Sequence, residues 1–134
     1  MANLNDAGVS ELLTKPNHAV LSTINADGSA HSTVIWVNIE DGAVGLNSAR
    51  GRVWPTNLER DPRVTLTLLN EDDPYEYAVL TGSAVEIDAG TDADQHMDTL
   101  AQKYLNQDVY PWRKEGEERV KFHFAPAKIR HVKA

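Results

Sequence analysis

Apolar and polar residues alternate along much of the chain, which is the pattern of β-strands that bury one face. In residues 63–69 (RVTLTLL), Val64, Leu66 and Leu68 share one face and two threonines occupy the other. Similar segments rich in β-branched residues predict further strands. They lie at residues 18–25, 30–38, 43–48, 75–88, 119–125 and 128–133. The chain is therefore predicted to be mainly β, with six to seven strands.

Turn residues between these segments predict how the strands connect. Asp27-Gly28 and Asp41-Gly42 each separate two strands, and Asp-Gly pairs favour the type I′ turns of antiparallel hairpins. Gly82 interrupts the longest segment and predicts a bulge or a barrel corner. Because closing so many strands into a barrel removes exposed edges, we expect an antiparallel barrel.

Helical spacing replaces the alternation towards the C-terminal third of the chain. Apolar residues recur at three- and four-residue intervals over residues 93–105, after an acidic first turn that suits the helix dipole. Shorter helical pieces are predicted at residues 4–14 and 55–60. Residues 109–116 are polar and aromatic with Pro and Gly, and we favour an ordinary connection over a mobile loop beside a pocket. No repeat or linker is visible, so residues 1–134 are predicted to form one domain.

Composition narrows the classes of function. The 134-residue chain contains no cysteine, which removes disulfides, thiolate metal sites and cysteine nucleophiles. The formal charge of −7 argues against general nucleic-acid binding. No apolar run approaches the roughly 18 residues of a membrane helix, and the N-terminal residues lack the pattern of a secretory signal. We therefore expect a cytoplasmic protein with no membrane span.

The sequence lacks the common catalytic motifs. There is no GxSxG, HExxH, GxxxxGKS/T or GxGxxG pattern. The five histidines show no metal-ligand spacing, so no metal site is predicted. If the chain is an enzyme, we expect a bound cofactor to carry the reaction and the protein to orient it.

One short segment has the features of a cradle for an anion. Residues 47–52 (NSARGR) follow a predicted strand and precede a predicted helical turn. Small residues let backbone amides approach an anion, and Arg50 and Arg52 can bind phosphate through forked hydrogen bonds. The alternative is a tight turn with two solvated arginines. The neighbouring Arg60 and Arg63 are interpreted as covering a helix end and a strand start.

Four segments resemble the flavin/deazaflavin oxidoreductase superfamily, which includes the pyridoxamine-phosphate-oxidase-like split barrels. The hallmark stretch is residues 48–69 (SARGRVWPTNLERDPRVTLTLL). The others are residues 20–37 (VLSTINADGSAHSTVIWV), 74–87 (PYEYAVLTGSAVEI) and 96–105 (HMDTLAQKYL), and together they cover nearly the whole chain in the expected order. Within that superfamily, the chain resembles the small single-domain proteins of actinobacteria that use coenzyme F420, a deazaflavin.

The resemblance implies a split β-barrel homodimer with two cofactor sites at the interface. It assigns the cofactor phosphate to Arg50, Arg52 and nearby backbone, places the ring system along residues 33–36, and gives Asn57 the role of tying down the loop or touching the cofactor. Two tyrosines would reach the site from the partner subunit. The full set of implied cofactor-binding residues is Thr33, Val34, Ile35, Trp36, Asn47, Ser48, Ala49, Arg50, Arg52, Trp54, Asn57, Tyr75 and Tyr77.

Trp54 departs from the family pattern. Many relatives carry a lysine three residues before the asparagine of the family's NL motif, and Trp54 occupies that place here. The resemblance then leaves Arg52 to carry the phosphate charge alone. Trp54 either stacks on the ring or fills the interface between subunits.

The function implied by the resemblance is that of an F420H2-dependent reductase. Hydride would pass from the reduced deazaflavin to an activated double bond of an apolar or quinone-like acceptor. FMN is the alternative cofactor, with oxidase or electron-transfer chemistry. A third hypothesis is a non-catalytic protein that stores or shields a flavin, deazaflavin, heme or fatty ligand. No catalytic residue is assigned, although His31 is a conceivable proton donor.

Overall fold

The structure is a computed structural model that describes residues 3–133. This part of the chain forms three helices and seven strands. In chain order they are α1 (Ala7–Thr14), β1 (Ala19–Ile24), β2 (Ala30–Ile35), β3 (Asn38–Glu40), β4 (Ala43–Ala49), α2 (Val53–Arg60), β5 (Arg63–Asn70), β6 (Asp73–Asp88), α3 (Thr91–Leu105) and β7 (Arg119–Lys133). The predicted mainly β architecture with a few helices is confirmed.

All seven strands belong to one sheet in the order β2-β1-β5-β6-β7-β4-β3. Every neighbouring pair is antiparallel, as the hairpin signals predict. β2 and β3 are the two edges of the sheet, so hydrogen bonds leave the barrel open between them. The sheet is therefore split, not fully closed, and the opening lies beside β2.

β7 is one continuous strand, whereas the sequence predicts two strands on either side of Pro126. The register between β6 and β7 shifts at Gly82, which is opposite Pro126. Because proline has no N–H to donate, a bulge is a position where a sheet tolerates it. A Cβ at Gly82 would overlap the carbonyl oxygen of Ala125, so the two backbones cross too closely for any side chain. The predicted bulge at Gly82 is confirmed.

The two Asp-Gly turns differ in conformation. Asp41 and Gly42 have φ values of 52° and 76°, which fit the predicted type I′ turn between β3 and β4. In the turn between β1 and β2, Gly28 has a φ of 88° but Asp27 does not have a positive φ. A type I′ turn there is a wrong prediction, because Asp27 instead accepts a hydrogen bond from the backbone N–H of Ser29 at 3.0 Å.

One apolar core lies inside the curved sheet. Its buried members come from α1, α2 and the sheet strands, with Phe124, Leu46, Leu66 and Leu80 among the largest. α3 packs against β7 and β4, and its buried apolar residues are separate from that core. No helix within residues 3–133 combines the length and the apolar character needed to cross a membrane.

Candidate functional site

An open cleft of about 300 Å³ lies between edge strand β2 and the side of the sheet formed by β4 and α2. α3 and the segment after it complete the walls. The volume is at the lower end of the range of small-molecule sites. Eight residues that the sequence predicts for a cofactor site line this cleft. They are Thr33, Val34, Ile35, Trp36, Asn47, Ser48, Arg52 and Trp54.

Trp36 is held in the cleft wall by a stacked neighbour. Its ring lies on that of Tyr104, with 5.3 Å between centroids and 8° between planes. The Tyr104 hydroxyl donates to the carbonyl oxygen of Asn17 at 2.7 Å and accepts from the backbone N–H of Val37 at 3.2 Å. Burial raises the pKa of Tyr104 to about 12, so the phenol keeps the proton that it donates. The Trp36 indole therefore has a fixed orientation.

The segment after α3 adds two more aromatic rings to the cleft. The centroids of Tyr110 and Trp112 each lie 6.1 Å from that of Trp36. Asp98 on α3 accepts hydrogen bonds from the backbone N–H of Tyr110 at 2.9 Å and from Arg113 at 2.7 Å. The segment is anchored to α3 by these bonds, and it lines the cleft as well as connecting α3 to β7.

Asn47 lies at the centre of a layer of buried polar side chains beneath α3. Its Nδ2 donates to the carbonyl oxygen of Ala93 at 2.8 Å and to Nδ1 of His96 at 3.1 Å. Its Oδ1 accepts from Nε of Arg119 at 3.0 Å. Since every polar atom of the Asn47 amide is used, this side chain fixes both the histidine and the arginine beside it.

His96 is a neutral member of the same layer. Burial lowers the pKa of His96 to about 4 and is the largest contribution to the shift. The neutral ring then donates from Nε2 to Oδ1 of Asn38 at 2.8 Å and accepts at Nδ1 from Asn47. Gly45 leaves the space for this contact, because a Cβ there would overlap both Asn38 and His96.

Two arginines form the charged end of the cleft, and one carboxylate outside the cleft lining binds both of them. Arg119 is 3% exposed, and its Nη1 donates to Oε1 of Glu117 at 2.9 Å. Arg52 is half exposed and donates to Oε2 of the same Glu117 at 3.3 Å. Tyr110 faces the Arg119 guanidinium, 5.4 Å from its ring centroid, in cation–π geometry. Arg52 also precedes the first turn of α2, where unpaired backbone N–H groups favour an anion.

Arg50 lies outside this cleft, although it is only two residues from Arg52. Its guanidinium binds Glu86 at 2.8 Å and Glu118 at 2.9 Å, with Glu59 at 3.4 Å. These carboxylates raise the pKa of Arg50 above its ordinary value. The donors of Arg50 are therefore committed to linking α2, β6 and the start of β7.

The remaining predicted residues also lie outside the cleft lining. Ala49 is buried at the end of β4. Asn57 is buried and donates to Thr23 and Asn25, at 3.0 Å each, so it ties α2 to the end of β1. Tyr75 and Tyr77 lie on β6, and Tyr75 is 75% exposed. Of the two roles expected for Asn57, its contacts within this chain are those of a residue that fixes the loop.

Trp54 forms part of the inner surface of the cleft. It is almost fully buried, and its ring lies 5.3 Å from that of Phe122 at an angle of 53°. The indole joins the apolar core to the cleft and leaves Arg52 and Arg119 as the cleft's cations.

Sequence reasoning missed Arg119 and several apolar and aromatic residues of the cleft. Alternation in residues 119–124 puts Arg119 on the polar face of a strand, which predicts exposure to solvent. α3 covers that face instead. The available signal was the apolar side of α3, which had to be buried against some part of the sheet. The missed residues are Val53, Met97, Leu100, Tyr110, Trp112 and Arg119, together with His31, which was considered only as a proton donor.

A second cluster of possible ligands lies at the β3–β4 turn. Glu40, Asp41 and His123 place one ligand atom each within 4.8 Å of one another. The Lys121 ammonium contacts the Glu40 carboxylate, so a cation from the protein already neutralises that group. His123 also lies 3.3 Å from the same carboxylate. This arrangement is that of a partly buried ion pair between Lys121 and Glu40.

The open sheet, with its cleft beside an edge strand, defines a split-barrel protein. Residues 6–133 match the family model described as pyridoxamine 5'-phosphate oxidase. The chain belongs to this family, and the predicted split barrel and its family resemblance are confirmed. Among curated proteins, none matches this sequence.

Solved structures share the fold at low sequence identity. An F420 reductase is 19% identical with a TM-score of 0.77, over 90% of this chain and 94% of that one. The conserved hypothetical protein Rv2991 from Mycobacterium tuberculosis is 20% identical with a TM-score of 0.78, over 96% and 84%. A heme-binding protein from Mycobacterium smegmatis is 18% identical with a TM-score of 0.69, over 96% and 55%. Because these names include different ligands, the likeness supports the fold alone.

Proposed function

We propose that this chain is an oxidoreductase that binds coenzyme F420, with FMN as the alternative cofactor. Hydride would pass from the reduced deazaflavin to an activated double bond of an apolar or quinone-like acceptor. The observation that carries the proposal is the cleft itself, which joins a wall of aromatic rings to an arginine pair. A planar ring system and a phosphate are what these two surfaces bind best.

The side chains of the cleft fit such a cofactor. Trp36 and Trp112 offer ring faces, and Arg52 has guanidinium donors beyond its 3.3 Å contact with Glu117. The start of α2 adds backbone N–H groups beside Arg52. A bound deazaflavin or flavin supplies the hydride chemistry. The chain's own part is to bind the phosphate, orient the ring and keep the acceptor close.

His31 is the titratable side chain of β2 in the cleft lining. It is partly exposed, so it can exchange protons with solvent. We infer that His31 is the candidate for delivering a proton to the acceptor if the reaction needs a protein acid. No other catalytic role is assigned.

The proposal includes a homodimer with the cofactor sites at its interface. Val34, Val53 and Trp112 at the cleft are each at least half exposed, which is unusual for large apolar side chains beside a ligand site. A partner subunit would cover them, and Tyr75 and Tyr77 would reach the partner's cleft. Sedimentation velocity at micromolar concentration tests this, since a monomer that still binds cofactor would contradict it.

The first experiment is a parallel titration of the purified protein with F420 and FMN, followed by ligand and tryptophan fluorescence. Micromolar or tighter binding of F420 with weak binding of FMN supports the proposal, and a panel of apolar acceptors then tests turnover. Preference for FMN selects the alternative cofactor. Tight binding without turnover supports the non-catalytic hypothesis, and binding of neither contradicts the proposal.

Arg52→Ala is expected to weaken F420 binding by about 10- to 100-fold, because a hydrogen bond to a charged group contributes roughly 1.5–3 kcal/mol. The measurement is the dissociation constant from the same fluorescence titration. Arg63→Ala is the matched control, since Arg63 is an exposed arginine paired with Asp61 and outside the cleft. Equal affinities of the Arg52 variant and the wild type would remove Arg52 from the site.

A further inference from the structure

Glu117 is an internal carboxylate at the charged end of the cleft. Its side chain is only 7% exposed, and its two oxygens bind different arginines. Oε1 accepts from Arg119 at 2.9 Å and Oε2 accepts from Arg52 at 3.3 Å. Gly116, with a φ of 77°, turns the chain just before it. Arg52 and Arg119 line the cleft, and the Glu117 carboxylate lies behind that lining and is shared by both cations.

Glu117 and Glu118 are adjacent in the chain but form their ion pairs on opposite sides of it. Glu117 pairs with Arg52 and Arg119 at the cleft, whereas Glu118 pairs with Arg50 away from it. Successive residues of an extended chain point to opposite faces, which accounts for the division. At the cleft, two guanidinium groups and one carboxylate leave a formal charge of +1.

We propose that Glu117 determines which phosphate this site accepts, favouring a singly charged phosphodiester over a doubly charged phosphomonoester. The inference rests on the proposed function and deepens it. F420 carries its phosphate as a diester, with one negative charge. FMN carries a monoester, whose charge near pH 7 is about −1.5 to −2. Glu117 thus turns the charge of the site into a preference between the two cofactors.

Charge balance is the physical basis of this preference. A monoanion neutralises the +1 charge of the two arginines and Glu117. The second charge of a dianion is repelled by the Glu117 carboxylate, and neither arginine has a further positive charge to balance it. Two unit charges about 4 Å apart interact by roughly 1 kcal/mol in water and about 4 kcal/mol at an effective dielectric constant of 20. Removing the Glu117 charge is therefore expected to raise the affinity for a dianionic phosphate by on the order of tenfold and that for a monoanionic phosphate by less.

The test compares the wild type with Glu117→Gln and Glu118→Gln at pH 8, where a phosphomonoester is a dianion. Dissociation constants are measured for FMN and for riboflavin, which lacks the phosphate, and for F420 and its phosphate-free deazaflavin. The ratio within each pair isolates the phosphate from ring stacking. Glu118→Gln is the matched control, because it breaks the equivalent contact with Arg50 outside the cleft.

In Glu117→Gln, the gain in affinity that the phosphate gives FMN is expected to rise by about tenfold relative to the wild type. The gain for F420 should rise by less, and Glu118→Gln should leave both unchanged. An unchanged or smaller gain for FMN in Glu117→Gln would overturn the inference, because Glu117 would then only position the arginines.

A second measurement separates this inference from the proposed function. Inorganic phosphate and dimethyl phosphate are titrated at pH 8 while the arginine Nε–H signals are followed by NMR. If the wild type binds neither F420 nor FMN, the proposed function fails. A higher affinity of Glu117→Gln for inorganic phosphate, relative to dimethyl phosphate, would still support the inference that Glu117 disfavours a doubly charged phosphate. If the ratio of the affinities for inorganic phosphate and dimethyl phosphate is the same in Glu117→Gln as in the wild type, the inference about Glu117 is wrong whichever cofactor binds.

Discussion

At the scale of single residues, the layer beneath α3 combines burial with charge. His96 on α3 and Arg119 and Lys121 on β7 are each less than 10% exposed. Each has a specific partner: Asn38 and Asn47 for the histidine, Glu117 for the arginine, Glu40 for the lysine. Buried charges of this kind stabilise a fold only while every partner is present.

The pKa of His96 makes the stability of the fold depend on pH. Unfolded histidine takes up a proton near pH 6.5, whereas folded His96 stays neutral down to about pH 4. Between these values the unfolded state binds more protons, so the free energy of unfolding falls as the pH falls. The loss is expected to reach about 2 kcal/mol between pH 6.5 and 5, at 1.36 kcal/mol per unit. Glu40, Lys121 and His123 lie near the ring and also act on its charge.

The measurement is urea unfolding at pH 7, 6 and 5, above the range in which most carboxylates titrate. His96→Gln should be less stable at neutral pH and should lose this part of the pH dependence. His31→Gln, which changes a partly exposed histidine of the cleft, should keep it. Equal pH slopes for the wild type and His96→Gln would contradict the assignment.

At the charged end of the cleft, the sequence predicted one of the two arginines, Arg52, and missed Arg119. Arg52 lies at the cleft as the NSARGR pattern suggests, but Arg50 turns to Glu86 and Glu118, which are 36 and 68 residues away. Local spacing carries no information about such distant carboxylates. Arg119 was missed for the same reason, since only the packing of α3 decides that its face of β7 is buried.

At the scale of elements, Asp98 is the anchor of the aromatic segment between α3 and β7. It holds the backbone of Tyr110 and the side chain of Arg113, while Asp94 holds Arg113 from one turn earlier at 3.1 Å. The segment lacks regular structure but has these fixed points. Tyr110 and Trp112 can therefore serve as a cleft wall without belonging to a helix or strand.

Asp98→Ala is expected to release this segment and to lower the free energy of unfolding by about 1–2 kcal/mol, as two hydrogen bonds are lost. Trypsin cleavage after Arg113 and Lys114 should become several-fold faster. Asp94→Asn is the control, because it weakens one contact of Arg113 and leaves both bonds of Asp98. Cleavage of the Asp98 variant at the wild-type rate would show that other contacts hold the segment.

Elements were easier to predict than the cleft because their signals are local. Alternation and helical spacing located β5, β6 and α3 closely, since each depends on residues a few positions apart. The type I′ turn was right at Asp41 and wrong at Asp27, where the side chain offers its own backbone a competing hydrogen bond. Pro126 led to the prediction of a strand boundary within β7 that does not exist. The bulge at Gly82 lies opposite Pro126, so the missing N–H of the proline costs no ladder hydrogen bond there.

At the scale of the whole molecule, the neighbouring strands β6 and β7 join β2, β1 and β5 on one side of the sheet to β4 and β3 on the other. β6 pairs with β5 over its first part and with β7 along nearly all of its length. Both strands pass the crossing at Gly82, where a Cβ would overlap the backbone of β7. Gly82 thus permits a close crossing of two central strands at a position that does not line the cleft.

Gly82→Ala is expected to lower the free energy of unfolding by about 1–3 kcal/mol, because its Cβ would overlap the backbone of Ala125. Ser83→Ala, an exposed change at the next residue of the same strand, should stay within about 0.5 kcal/mol of the wild type. Guanidinium unfolding of the three proteins provides the comparison. Equal stability of the Gly82 variant would mean that the crossing relaxes at little cost.

The pairing of β4 with β7 also sets an order of events during synthesis. Ala49 and Arg119 are opposite each other in the sheet yet about 70 residues apart in the chain. Until β7 emerges from the ribosome, β4 has only the short β3 as a partner, and Val44 and Leu46 lack most of their covering. Nascent chains halted before β7 should therefore attract chaperones and aggregate readily. They also lack Arg119, so a ligand held by this cleft can rescue only chains whose translation has passed that residue.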